Sequence, residues 1–149
     1  ARTETDLLIR VDGRDDVHHQ TERGQKLWQA DGLQIGIAVP EQDGWWDFGV
    51  ALHNDGSIQK HAWQTPTGWD DPTTQMRVSV SPIELGLRYE IRIPLSALDM
   101  SPQDLIDGIR LNVILNDNDG TAREGWARIA PGLAEGRKNP EQFPIVRFE

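Results

Sequence analysis

The stretch LNVILNDNDGTAREGW, residues 111–126, decides the fold. Its first six residues alternate. Leu111, Val113 and Leu115 fall on one side of an extended chain, and Asn112, Ile114 and Asn116 on the other. A period of two is the pattern of a strand. The strand then runs into Asn116, Asp117, Asn118 and Asp119, closed by Gly120. Such side chains favour turns, because they hydrogen-bond to their own backbone. They are also the oxygen donors that a hard cation takes. The strand speaks for the fold class, and the loop poses the functional question.

The same alternation recurs on both sides. Leu33, Ile35, Ile37 and Val39 alternate up to Pro40. Trp46, Phe48, Val50 and Leu52 alternate again after a short turn, so the two runs read as a hairpin. Asn54-Asp55-Gly56 marks a second tight turn, followed by a strand over 58–63. Residues 7–11, then Met76, Val78 and Val80 before Pro82, and Tyr89, Ile91 and Ile93 before Pro94, predict three more strands. Residues 126–129 and 145–148 predict two short closing ones. Residues 13–24 and 64–74 read as loops. One helical turn is predicted at 103–106, with Ser101 as cap and Pro102 at its first position. Many short strands with frequent turns predict an all-β, antiparallel, jelly-roll-like β-sandwich with at most one short helix. Residues 1–149 read as a single domain.

Composition narrows the function. A net charge of −9 and a pI near 4.8 argue against nucleic acid, which requires clustered Lys and Arg. The chain has no cysteine, which excludes disulfides and thiolate chemistry. No apolar run approaches the ~20 residues of a membrane span, and no signal peptide is read. The chain starts at Ala1 without Met, as a processed product or an excised domain would. Six Trp stand against one Tyr and three Phe, so flat apolar faces with one donor each are unusually abundant.

No residue pattern points to catalysis. The serines lie in no nucleophile-elbow context. The carboxylates are too numerous to single out an acid and a nucleophile. His18 and His19 point apart on an extended chain and cannot chelate one ion together. Two features suggest binding instead. Asp12, Asp15 and Asp16 end a strand and are placed to complete a cation site with the Asn116–Asp119 turn. Trp28 precedes a strand rather than lying inside an alternating run: it is either a core residue that anchors that strand, the commoner case, or a loop-rim residue whose ring can stack on the C–H face of a sugar. Asp31 and Gln34 are polar neighbours able to bond hydroxyls.

Four segments together resemble a family nine carbohydrate-binding module: LLIRVDGRDDVHHQ (7–20), LWQADGLQIGI (27–37), YEIRIPLSAL (89–98), and RLNVILNDNDG (110–120) followed by GW and PGLAEGRKNPEQFPIVRF (131–148). Each motif is degenerate; their order and spacing are more specific. The resemblance implies a non-catalytic sandwich with structural calcium that binds oligo- or polysaccharide. It implies a secreted or periplasmic bacterial protein in which the module targets an adjacent glycoside hydrolase or lyase domain. Trp28 matches the first of two sugar-stacking Trp residues, and Gln34 a polar contact on the following strand. The second Trp position falls near Arg137. The carbohydrate candidates are therefore Trp28, Gln34, Asn112 and Arg137, with Trp45 and Trp69 as further aromatic surfaces. The calcium candidates are Asp16, Asn116, Asp117 and Asp119. Family members usually open with an additional strand before residue 7, so either the chain is trimmed here or another part of a larger protein supplies that strand. The alternative is a structural sandwich whose exposed Trp face packs on a partner domain and binds no sugar.

Overall fold

A computed structural model describes residues 1–134 and 136–149. Among the described residues, nine strands and one α-helix follow in order: β1 (Asp6–Arg14), β2 (Gly32–Ala38), β3 (Trp46–Leu52), β4 (Ile58–Gln64), β5 (Arg77–Ile83), β6 (Gly86–Pro94), α1 (Pro102–Asp107), β7 (Ile109–Asp117), β8 (Gly125–Arg128) and β9 (Ile145–Val146). Short 3-10 turns lie at Gly24–Gln29, Pro72–Thr74, Leu95–Leu98 and Pro140–Gln142. The strands form two sheets. One is three-stranded, in the order β1-β6-β5. The other is six-stranded, running β4-β3-β2-β7-β8, with β9 also paired to β7. Every pairing is antiparallel. The expected all-β sandwich is the fold.

The alternating residues build the core. Ile35 of β2 lies opposite Phe48 on one side and Val113 on the other, so one apolar row crosses three strands. Leu7 and Ile9 of β1 and Tyr89, Ile91 and Ile93 of β6 meet this row from the other sheet. Trp46 is buried in the same core, and Trp45, its neighbour in sequence, faces the opposite way. Burying this apolar surface at about 25 cal/mol per Å² is the main stabilising term.

The outer face of the larger sheet is covered as well, which strict alternation does not predict. Ile114, Leu133 and Phe143 form a second small core there, with Trp45 beside it. Gly36 makes this possible: a Cβ at that position would lie 2.5 Å from the Phe143 ring. At Gly49 the ring of Trp63 takes the same space, with Leu27 alongside. The chain after β8 thus wraps one part of this face, and the Gly24–Gln29 turn wraps another.

Pro82 lies within β5 rather than ending it. β5 is an edge strand, and Pro82 stands where its missing N–H would face away from β6. The helix is the one short turn expected, with a reciprocal Ser101–Asp104 capping box. At the other edge, β1 pairs only briefly beyond β6: Ala1 and Leu8 exchange backbone hydrogen bonds, and Arg2 bridges Leu7.

Candidate functional site

One end of the sandwich gathers the acidic residues. β1 delivers Asp15 and Asp16, β2 begins just after Asp31, and β7 ends in the 116–119 turn. The pairing of Gly32 with Asn116 sets these ends side by side. Carboxylate oxygens of Asp15, Asp16 and Asp119 lie within 4.8 Å of one another. Asp15, Asp16, Asp31, Asn116 and Asp117 line a cavity of about 360 Å³ floored by Tyr89 and Leu115. Burial and the neighbouring Asp31 and Asp117 push the Asp15 carboxyl above its usual range. Desolvation and the charges of Asp119, Asp31 and Asp16 do the same to Asp117. The side-chain oxygen of Asn116 is buried without a hydrogen-bond partner among the described residues. Crowded carboxylates and an unbonded amide oxygen suit a hard cation with oxygen ligands. The four calcium candidates thus share one end of the fold, and Asp15 joins them. Asp12 does not: its carboxylate accepts from Arg88 at 2.8 and 2.9 Å on the outer face of the smaller sheet.

Asp31 has a different task from the hydroxyl contact expected of it. It is 3% exposed, and its carboxylate accepts the backbone N–H groups of His19 and Asn118. It fastens the loop after β1 and the loop after β7 to the start of β2. His18 stands 3.4 Å from the same carboxylate and 3.9 Å from Asp15, while its Nε2 bonds the Leu52 carbonyl. The Asp31 carboxylate is the main cause of a raised His18 pKa.

The outer face of the larger sheet carries the second candidate region. Gln34 of β2 donates its amide to Asp47 of β3 at 2.9 Å. Asp47 is fully buried and forms an ion pair with Lys138. Burial raises the Asp47 pKa, and the Lys138 ammonium opposes that shift. The same ammonium lies 5.5 Å from the centre of the Trp63 ring. Gln34 therefore sits between the Gly24–Gln29 turn and the segment after β8. Trp28 stands in that turn, 39% exposed, next to buried Leu27.

The other carbohydrate candidates are dispersed. Asn112 is fully buried, and its amide is spent on the backbone of Ala130 and Pro131. It therefore pins the covering segment and offers no atom to a surface ligand. Trp45 is half-buried, edge-on to Phe143 at 5.7 Å. Arg137 is exposed in the covering segment, and Trp69 in the loop after β4. Sequence reasoning missed Asp47, Lys138 and Arg123. Only the alternation around Asp47, which places a carboxylate on the same strand as core residues Trp46 and Phe48, could have flagged the first.

No protein-family model and no curated protein matches this chain. Solved structures do. A family 9 carbohydrate binding module from Caldicellulosiruptor kristjanssonii, in complex with cellotriose, matches 97% of this chain and 69% of its own, at 17% identity and a TM-score of 0.68. A family 9 module from the same organism, in complex with glucose, matches 98% of this chain and 72% of its own, at 15% identity and a TM-score of 0.71. The fold is the one the sequence resemblance implies.

Proposed function

We propose that this chain is a non-catalytic saccharide-binding module, with Trp28 as its stacking platform and a calcium ion at the acidic end. The observation that carries the reading is the half-exposed Trp28 on a fold shared with structures holding cellotriose and glucose. Around it the chain offers suitable chemistry. Gln34 spends its amide N–H on Asp47, so its carbonyl oxygen is left to accept a sugar hydroxyl. Lys138 holds Asp47 in place for that task. Asp15, Asp16 and Asp119, with Asn116 and Asp117, would hold the cation. Bound there, calcium would neutralise the crowded carboxylates and brace the loops after β1 and β7. In a secreted bacterial enzyme such a module would bring an attached hydrolase or lyase to its polysaccharide. The test is affinity electrophoresis of the wild-type chain and Trp28→Ala in gels containing soluble glucans. Retardation of the wild type alone supports the reading; no retardation on any glucan contradicts it.

One observation favours the second reading, in which the domain packs on a partner. Between the outer edge of β1, beyond its short pairing with Ala1 and Arg2, and strands β7 to β9 runs an apolar groove of about 590 Å³, lined by Val11, Leu111, Leu115, Ile129 and Phe148. Ile129 is 65% exposed there. A strand from elsewhere in a larger protein would pair with β1 and close this groove. The groove and Trp28 use different surfaces, so a partner in the groove would leave Trp28 free, unlike the alternative in which the exposed Trp face itself packs on a partner and no sugar binds.

A further inference from the structure

Arg123, in the loop between β7 and β8, is held by two rings. Its guanidinium carbon lies 5.4 Å from the centre of the Trp28 ring and 4.4 Å from that of Trp126. Both indoles are partly exposed, at 39% and 48%. Trp126 is fixed by its place in β8, opposite Asn116, and Trp28 by the Gly24–Gln29 turn. The acidic end supplies many carboxylates, yet none forms an ion pair with Arg123 among the described residues. The guanidinium Nε is buried there without a hydrogen-bond partner. Desolvation also lowers the Arg123 pKa, a sign that the charge is poorly compensated.

A guanidinium on an indole face is favourable. A buried donor without an acceptor is unfavourable. The stack is therefore held through its faces and opposed at its edge, so a competitor for the Trp28 face can displace it. A pyranose ring needs van der Waals contact, at roughly 4 Å, with that face. The guanidinium and the ring cannot both have the face on the side where Arg123 lies.

We propose that Arg123 is a built-in competitor for the stacking face of Trp28, held in place by Trp126, and that a saccharide binds only after Arg123 has swung aside. This rests on the saccharide-binding reading above. The apparent affinity is then the intrinsic affinity reduced by the fraction of molecules with the face open. Removing the competitor, or the ring that holds it, raises affinity.

The experiment compares the wild type with Arg123→Ala, Arg123→Lys, Trp126→Ala and Trp28→Ala. Cellotriose titrations give affinity, and acrylamide quenching of the free proteins reports indole exposure. Arg123→Ala should bind roughly tenfold tighter. Arg123→Lys should also tighten, since an ammonium keeps the charge but has no flat face to span two rings. Trp126→Ala should tighten in the same sense, and Trp28→Ala should lose binding. Free Arg123→Ala should quench more than the wild type, and that gain should shrink when Trp28 is also replaced, leaving only the part that comes from Trp126. Weaker or unchanged binding in Arg123→Ala overturns the proposal, as does unchanged quenching. If neither the wild type nor Arg123→Ala binds any neutral oligosaccharide while the quenching gain appears, the saccharide reading fails and the competitor role falls with it.

Discussion

Asp31 and Asn118 stand 87 positions apart in sequence, and the Asn118 backbone N–H donates to the Asp31 carboxylate at 2.7 Å. The other oxygen of Asp31 accepts from His19. One buried side chain thus joins three strand ends and shapes the acidic cavity. Asp31→Ala would strand two backbone donors at once. The expected loss is about 3 kcal/mol of unfolding free energy. Urea denaturation measures it, and a loss below about 1 kcal/mol would mean that the loops are held by other contacts.

Chelation should destabilise the chain, because a cation bound only to the folded state stabilises it by mass action. The expected fall in melting temperature at neutral pH is roughly 5 °C. An unchanged melt in chelator removes the calcium site.

The metal-free protein should also respond to pH. Asp15, Asp117 and His18 all have raised folded pKa values. Each therefore favours folding in its protonated form and loses that contribution as pH rises through its folded pKa. For the two carboxyls this begins above their ordinary value of 3.8, and for His18 above 6.5. Asp6, Asp12 and Asp55, whose pKa values are lowered by Arg92, Arg88 and Ser57, contribute in the opposite sense, but only below that carboxylate range. Metal-free melts should thus be lower at pH 8 than at pH 5, and added calcium should narrow the gap. A metal-free chain equally stable at both values contradicts the assignment.

Lys138 and Asp47 should behave as a coupled pair. Lys138→Met leaves a buried carboxylate without its cation, at a cost of about 2 kcal/mol once the partial exposure of Lys138 is allowed for. Adding Asp47→Asn removes the charge and should recover most of that loss. A double-mutant cycle reads the coupling, and strict additivity would show that the contact is not energetic.

Gly36 should tolerate no side chain while Phe143 is present. The Cβ of Gly36→Ala would overlap the Phe143 ring and lift the segment that covers the larger sheet. The expected cost is about 1–3 kcal/mol. Combining it with Phe143→Leu should recover part of the loss; an additive double variant would place the clash elsewhere.

Much of the fold was legible from local pattern. Leu33, Ile35 and Ile37 against Trp46, Phe48 and Val50 specified a hairpin, and Ser101 with Pro102 specified the helix start. The gathering of oxygen donors at one end of the fold was legible in part, because Asx residues at strand ends announce themselves. Asp31 was misread as a ligand contact because its partners lie 12 and 87 positions away. Asn112 was misread for a similar reason: an outward-facing amide on a strand is normally at the surface, but here the segment after β8 folds over it. Arg123 carried no signal at all, since its stack depends on two Trp residues brought together only by the fold.

The central claim is that this sandwich binds saccharide through Trp28. Isothermal titration of the calcium-loaded wild type and Trp28→Ala with cellotriose, each checked for an unchanged melt, tests it most directly. The expected result is saturable binding by the wild type and at least a tenfold loss in Trp28→Ala, which corresponds to about 1.4 kcal/mol. Equal binding by both proteins would place the site elsewhere, and no heat from either would contradict the claim.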